Sequence, residues 1–165
     1  MRLRLPLLFA AAALVLAGCS TPGPPQVTFF ADGNTVEAAP MIHCDAKVQK
    51  CEQNDGAKAQ LKVRAGQPVQ ISVPSEVAET PWVVNVQYTN AKGELQPVKQ
   101  ETFTNGKQFA YTASANGSDG QLVVVEVQQL GAAYAADESG QPALDEDGQP
   151  QLVARAVWSL QVQPA

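Results

Sequence analysis

The sequence predicts an all-β domain: an immunoglobulin-like antiparallel β-sandwich of about seven to nine strands behind an N-terminal lipoprotein signal peptide. Short stretches in which apolar and polar residues alternate recur after residue 26. Alternation with period two is typical of strands with one buried and one wet face. Turn dipeptides separate these stretches, and no long amphipathic helix is evident after residue 18. A small closed β-barrel is the alternative architecture.

The first predicted strands are a hairpin and two alternating stretches. VTFFA and TVEA flank Asp32-Gly33, a dipeptide typical of two-residue hairpin turns. The alternating stretches AQLKVRA and PVQISV follow, and each should bury one face. Their apolar positions are Ala59, Leu61, Val63, Val69, Ile71 and Val73.

The middle of the chain resembles strands B and C of an immunoglobulin-like domain. GQPVQISVP is followed, after a short connection, by WVVNVQY, and Trp82 would then be a core tryptophan. The connecting EVAET could form one or two helical turns. The apolar face of the second strand consists of Trp82, Val84, Val86 and Tyr88.

Two long apolar stretches are predicted near the C-terminus. QLVVVEVQQL is apolar on both faces at its start, which favours a central strand. LGAAYAADE, which overlaps its end, could form a helical turn or two. The last strand, QLVARAVWSLQV, places on one face Leu152, Ala154, Ala156, Trp158, Leu160 and Val162.

Residues 1–18 have the features of a lipoprotein signal peptide. Arg2 and Arg4 precede a 13-residue apolar stretch, residues 5–17, which as a helix would be about 20 Å long. That is too short for a bilayer core of about 30 Å. LAGC, residues 16–19, resembles the bacterial lipobox, which implies a diacylglycerol on Cys19 and cleavage before it. Two acyl chains suffice for stable anchoring; the alternative is an uncleaved or simply secreted chain.

This assignment divides the chain and predicts its location. Residues 1–18 would be removed, residues 19–26 would form a lipidated N-terminus and Pro-rich tether, and residues 27–165 would fold as the sandwich. We expect the domain at the extracytoplasmic face of the cell membrane. The precursor charge is −5, and loss of Arg2 and Arg4 leaves −7, which argues against a nucleic-acid partner.

Two cysteines remain for the folded domain. Cys44 and Cys51 lie close in sequence, and outside the cytoplasm such a pair is expected to form a disulfide. A metal site with His43 is an alternative, but six intervening residues do not match the usual spacing of structural zinc ligands. Free thiols are the other possibility.

An acidic octapeptide is duplicated near the C-terminus. DESGQPAL (137–144) is followed directly by DEDGQPQL (145–152), and six of the eight positions are identical. Two solvated hairpin turns are the simplest interpretation. A weak calcium site or a partner-recognition segment are the alternatives, although the spacing does not match an EF-hand.

No catalytic motif is evident. The single histidine, His43, adjoins the expected disulfide, and no phosphate loop, nucleophile elbow or Cys-x-x-Cys is present. We therefore expect no enzyme activity, no cofactor and no metal. Trp82, Tyr88 and Trp158 are expected to pack in the core, with a ligand pocket lined by these three rings as the alternative.

The chain resembles a family of actinobacterial lipoproteins known as a domain of unknown function, DUF2771. The resemblance rests on the lipobox, the VTFFADGNTVEA hairpin, the close cysteine pair, the GQPVQISVPSEVAETPWVVNVQY stretch and VEVQQLGA. It implies an envelope location and no known chemistry. The sequence predicts a membrane-anchored binding or structural module whose partner is an envelope protein or a cell-wall component. The alternative is a carrier of a lipid or small apolar ligand between the sheets.

Overall fold

The structure, a computed structural model, describes residues 23–145 and 148–165. In this part of the chain there are eleven strands, a 3₁₀ turn at Asp55–Ala57 and one short helix, α1 (Ser75–Ala78). The strands are β1 (Val27–Ala31), β2 (Asn34–Ala38), β3 (Ile42–Cys44), β4 (Cys51–Gln53), β5 (Ala59–Val63), β6 (Val69–Ser72), β7 (Trp82–Thr89), β8 (Lys99–Phe103), β9 (Ala110–Ala113), β10 (Gln121–Tyr134) and β11 (Leu152–Pro164).

The strands form two separate sheets. The first is antiparallel with the order β2-β1-β6-β9. The second has the order β4-β3-β11-β10-β7-β8, and β5 lies parallel beside the C-terminal part of β11. In the described residues neither sheet closes on itself, so the predicted sandwich is confirmed and the closed-barrel alternative is wrong.

The immunoglobulin-like assignment is confirmed at its two central strands. β6 and β7 follow each other in the chain yet lie in opposite sheets, as strands B and C do. Trp82 begins β7 and is fully buried. The strand count exceeds the expected number because short strands are added; β3 and β4, for example, have three residues each.

Side chains from both sheets fill the space between them. The predicted apolar faces of β5, β6 and β7 are all buried in one continuous cluster. The largest fully buried side chains are Trp82, Trp158, Phe29, Ile71, Leu122 and Leu160.

The predicted hairpin at Asp32-Gly33 is confirmed. Both residues have positive φ, 48° and 78°, as a type I′ turn requires. Asp32 also accepts hydrogen bonds from the backbone N–H of Arg64 at 2.8 Å and from its guanidinium at 2.6 Å. Nearby, the N–H of Gly66 donates to the carbonyl of Gly120 at 2.8 Å. These contacts join the turns at 32–33, 64–68 and 114–120 into one end of the sandwich, here called the distal end.

Two expectations near the C-terminus are wrong. LGAAYAADE does not begin a helix, because β10 continues as a strand to Tyr134. The last strand does not keep one apolar face either. The β10–β11 register shifts between Gln129 and Leu130, so Arg155 is an extra residue on β11. Beyond this bulge Ala154 pairs with Leu130, and Leu152 faces the outside of the second sheet.

Candidate functional site

The three aromatic side chains considered as pocket residues lie in the packed interior. Trp82 and Trp158 are fully buried and Tyr88 is 3% exposed. The Trp82 ring stacks on Phe103 with ring centroids 4.3 Å apart. The side chain of Asn116 donates to the Tyr88 hydroxyl at 2.7 Å. These contacts are those of core residues.

A groove of about 490 Å³ crosses the outer face of the second sheet, a volume within the range of about 300–1,000 Å³ typical of small-molecule sites. We call it the sheet groove. Its floor is formed by outward-facing side chains of β7, β8 and β10 and the residue after β8: Val83, Gln100, Thr102, Thr104, Gln128 and Leu130. Its walls are Pro81, Asp145, Pro150, Gln151 and Leu152.

Strand alternation explains the floor. Even-numbered residues of β7 face the core, so Val83 and Asn85 face outward. The register pairs Val83 with Thr102 of β8 and Gln128 of β10. These three side chains therefore stand side by side in one row across the sheet. A second row lies two residues away along each strand and is formed by Gln100, Asn85 and Glu126.

Hydrogen bonds within the second row orient the side-chain amides of Asn85, Gln100 and Gln128. An ionised carboxylate can only accept hydrogen bonds. Glu126 Oε1 accepts from Gln128 Nε2 at 2.6 Å and from Asn85 Nδ2 at a long 3.5 Å. Asn85 therefore turns its Oδ1 toward Gln100, whose Nε2 donates to it at 2.9 Å. The amide nitrogens of Gln100 and Gln128 each donate one hydrogen bond in this network, and each side chain keeps a second N–H as well as its oxygen.

The wall of the groove belongs to a three-way junction of hairpins, here called the arm (residues 135–145 and 148–151). The two octapeptide copies form two of the hairpins, closed by the pairs Ala136–Pro142 and Leu144–Pro150. The third hairpin is the β10–β11 ladder, whose last pair is Tyr134–Leu152.

A ring of backbone hydrogen bonds closes the centre of this junction. The N–H of Ala135 donates to the carbonyl of Gln151 at 2.8 Å, that of Ala143 to Ala135 at 2.8 Å, and that of Gln151 to Ala143 at 2.9 Å. The three residues are spaced by eight positions. The duplication therefore has a structural role, because each eight-residue copy spans one step around the ring.

The first acidic residue of each copy closes its own loop. Asp137 Oδ1 accepts from the hydroxyl and N–H of Ser139, at 2.7 and 2.8 Å, and from the N–H of Gln141 at 3.0 Å. These hydrogen bonds hold the pKa of Asp137 below its ordinary value, and the bond from the Ser139 hydroxyl has the largest effect. In the second copy Asp145 Oδ1 accepts from the N–H of Gln149 at 2.8 Å. The structure thus supports the hairpin interpretation of the duplicate.

Within residues 23–145 and 148–165, no three His, Cys, Asp or Glu side chains come together in a way that could hold a metal ion. The same part of the chain contains no helix that is long and apolar enough to span a membrane.

The predicted disulfide is confirmed. Cys44 and Cys51 lie opposite each other in the β3–β4 hairpin and are bonded. The loop between them, residues 45–50, packs against the second sheet: Val48 Cγ2 would lie 2.6 Å from a Cβ added to Gly131. The neighbouring His43 lines a smaller groove of about 300 Å³ with six other residues.

The N-terminal segment contacts the domain before β1 begins. The carbonyl of Pro25 accepts a hydrogen bond from the indole N–H of buried Trp158 at 3.0 Å, and Pro24 lines the smaller groove. The chain is therefore held by the sandwich from Pro25 onward. The expected lipidation site, Cys19, lies outside the described residues.

The sequence did not indicate the sheet groove. In the sequence, its floor residues have the pattern of the solvent-facing side of ordinary strands. Only the strand register places Gln100, Thr102 and Gln128 together. The network around Glu126 joins residues up to 41 positions apart. A local signal did exist for the wall, since the duplicated octapeptide, identical at six of eight positions, indicated a repeated hairpin.

The fold and groove define the class of protein: a β-sandwich domain with a filled interior and an open groove on one outer sheet face. The chain belongs to the family described as "Protein of unknown function (DUF2771)", whose model matches residues 20–163. A search of curated proteins and a search of solved structures found no match.

Proposed function

We propose that this protein is a lipoprotein of the cell envelope that binds a partner through the sheet groove and carries out no catalysis. A diacylglycerol on Cys19 would anchor it to the extracytoplasmic face of the cell membrane. Its partner would be an envelope protein or a cell-wall component.

One observation carries the binding part of this proposal. The interior between the sheets is filled, whereas the sheet groove of about 490 Å³ opens on the outer face of the second sheet. A carrier of an apolar ligand would instead need space beside Trp82, Tyr88 and Trp158, and these side chains are at most 3% exposed. The available recognition surface is therefore external.

Two features support the anchor. LAGC follows a basic start and a short apolar stretch at the position expected of a lipobox. The Cys44–Cys51 disulfide is of the kind that persists in oxidising, extracytoplasmic compartments.

A crosslinking experiment with matched variants tests the binding proposal. Thr102 and Thr112 are exposed threonines on edge strands of the two sheets, and Thr102 lies in the groove. After crosslinking in cells, the wild type and Thr112→Arg should capture the same partner, and Thr102→Arg should lose it. Equal recovery with Thr102→Arg, or capture of nothing but the lipoprotein itself by all three chains, would refute groove binding.

The anchor has a separate test. Intact-mass analysis of the native protein should find a diacylglycerol on Cys19, and Cys19→Ser should move the protein from the membrane to the soluble fraction. A native chain with a bare sulfur at position 19, or one recovered from the cytosol, would contradict the proposal.

A further inference from the structure

The hydrogen bonds of the second sheet show which backbone groups of β8 are free. In an antiparallel ladder, the N–H and C=O groups of successive residues point alternately to the two sides of the strand. The carbonyl of Pro81 accepts from Leu130 of β10 at 2.9 Å, and that of Tyr88 accepts from Gln96, on the β8 side, at 3.0 Å. Odd-numbered residues of β7 therefore bond to β10, and even-numbered residues bond to β8.

The same alternation leaves every second residue of β8 without a partner strand. Lys99, Glu101 and Phe103 pair with even-numbered residues of β7, so their backbone groups point to β7. Those of Gln100 and Thr102 point away from it, and in the described part of the chain no other strand pairs with β8. This edge therefore presents two N–H and two C=O groups at an interval of about 6.6 Å, which is the interval of matching groups along an extended polypeptide.

The neighbouring edge, that of β9 in the first sheet, is partly closed. β9 lies opposite β8, since Phe103 contacts Tyr111 with ring centroids 5.5 Å apart. The carbonyl of Ala110 in β9 accepts a hydrogen bond from the side chain of Gln108. β8 is therefore the more open of the two edges on this side of the molecule.

Glu101 gives the β8 edge a charge preference. The odd-numbered side chains of β8 face the first sheet, where Lys99 donates to the carbonyl of Ser114 at 2.9 Å and Phe103 stacks on Trp82. Glu101 lies between them and is exposed, and within the described residues its carboxylate has no hydrogen-bond or ion-pair partner. A strand paired with β8 would place a side chain beside Glu101, where an opposite charge stabilises the pairing and a like charge weakens it.

We infer that the edge of β8 binds an extended segment of an envelope protein, which adds to the second sheet as a further strand and places a lysine or arginine beside Glu101. The inference deepens the proposed function and rests on it for the location of the site. β8 forms the border of the sheet groove opposite the arm, so the added strand would extend the groove floor beyond Gln100 and Thr102.

A second copy of this chain is a less suitable occupant. Two β8 strands related by a two-fold axis would run antiparallel within one sheet. One tether would then point away from the membrane that holds the other. A segment of a different protein has no such restriction.

The probe is a library of random heptapeptides displayed on phage and selected against the full mature protein in detergent micelles. Selected peptides should share a lysine or arginine at one position. One of them, synthesised, should protect the N–H groups of Gln100 and Thr102 from hydrogen exchange in a saturable manner. N-methylation of the alternate residues whose N–H groups face β8 should weaken binding at least tenfold, and methylation of the other alternate residues should change it less than threefold.

A proline substitution tests the edge on the protein itself. Thr102→Pro removes an N–H that β7 does not use, and proline is tolerated at such an edge position. This variant should retain the backbone spectrum and bind the peptide at least tenfold more weakly. Thr112→Pro on β9 is the matched control: the carbonyl of Phe109 accepts from the N–H of Val73, so the alternation directs the N–H of Thr112 away from β6. It should bind within twofold of the wild type.

Charge reversal tests the role of Glu101. The wild type should prefer the selected peptide over the same peptide with glutamate at the basic position by at least fivefold, and Glu101→Lys should reverse that preference. Glu52→Lys makes the same change of charge on β4, an exposed strand at the opposite edge of the sheet. It should keep the wild-type preference.

Several results would overturn the inference: no enrichment of basic heptapeptides, equal binding of the two N-methylated forms, or the same charge preference in the wild type and Glu101→Lys. Protection of Gln100 and Thr102 in a dimer without peptide would show that the occupant is a second copy instead. If Thr102→Pro does not fold, the two N-methylated peptides decide whether the backbone of β8 is the site.

These outcomes are distinguishable from failure of the proposed function. If Thr102→Arg loses its partner in cells but no heptapeptide is selected, the groove is a binding site and strand addition is wrong. If a heptapeptide binds β8 while Cys19 proves unmodified, strand addition stands and the anchor is wrong.

Discussion

Individual residues at the distal end hold three turns in contact. Hydrogen bonds from Arg64 keep the pKa of Asp32 below its ordinary value. The bond from the side chain has the larger effect, and the bond from the backbone N–H the smaller one. Beside this pair, Gly66 has a φ of 76° and its Cα lies against the backbone of the 114–120 turn. The absence of a side chain at position 66 therefore allows two loops to touch.

Gly66→Ala should be strongly destabilising. An added Cβ would lie 1.9 Å from the carbonyl oxygen of Ser118, and the backbone would also retain an unfavourable positive φ. We expect a loss of about 2–4 kcal/mol in the free energy of unfolding, measured by denaturant titration. Gly93→Ala is the control: φ there is 79° with open space around it, so it should cost only about 1–2 kcal/mol. Equal losses would contradict the close contact.

The arm should loosen in acid through Asp137. Hydrogen bonds lower the folded-state pKa of this carboxyl below its ordinary value of 3.8, so the charged form stabilises the loop above pH 3.8. That contribution is lost as the pH falls through the lowered folded-state pKa. Amide hydrogen exchange of Ser139 and Gln141 should accelerate over that range. In Asp137→Asn this acceleration should disappear; its persistence would mean that another group controls the loop.

At the scale of elements, two features extend the second sheet beyond its central strands: the duplicated octapeptide and the disulfide-bonded β3–β4 hairpin. The duplicated octapeptide extends the β10–β11 hairpin into the arm and gives the groove a wall. On the other side of β11, the β3–β4 hairpin is held by a disulfide and places its loop against Gly131. Both devices lie at the end of the sheet where β10 finishes.

Reduction of the Cys44–Cys51 bond should lower stability without unfolding the domain. The chain-entropy estimate for an eight-residue loop is about 2.5 kcal/mol. Urea titrations of the oxidised and reduced protein should therefore differ in midpoint and not in slope. The 45–50 loop should gain hydrogen exchange first, while the β1–β2 hairpin stays protected. Loss of a cooperative transition on reduction would show that the bond holds more than its own hairpin.

At the scale of the whole molecule, the two ends of the sandwich have different surroundings. β1 begins at one end, where the 45–50 loop and the arm also lie, and the distal end is opposite. Because Trp158 holds the Pro25 carbonyl, the domain begins six positions after Cys19, with only five residues between them. At about 3.3–3.6 Å per residue, this is a reach of about 20 Å.

The lipidated protein should therefore sit on a bilayer in a preferred orientation. In nanodiscs with paramagnetic headgroups, amide signals of the 45–50 loop should broaden more than those of the turns at 32–33 and 114–120. The Cys19→Ser chain, added to the same nanodiscs, should show no such gradient. Equal broadening at both ends of the anchored protein would contradict the short tether.

Local patterns in the sequence were sufficient to predict many of the strands and turns. The Asp32-Gly33 turn, the apolar faces of β5 to β7 and the central position of β10 follow from short-range rules, because alternation and turn chemistry involve residues close in the chain. The sequence could not predict which residues of β11 face the core between Ala156 and the start of the strand. A bulge changes the face of every residue beyond it, and it arises from pairing with β10 rather than from the composition of β11.

The sequence by itself determined a disulfide-bearing β-sandwich of the DUF2771 family, and it predicted the lipid anchor. These are properties of residue type, spacing and short motifs. Only the tertiary structure decided that the three aromatic rings are core, that the interior is filled, and that Gln100, Thr102 and Gln128 form one groove floor. The reason is that burial and hydrogen-bond direction depend on which strands become neighbours, and strand register is a long-range property of the chain.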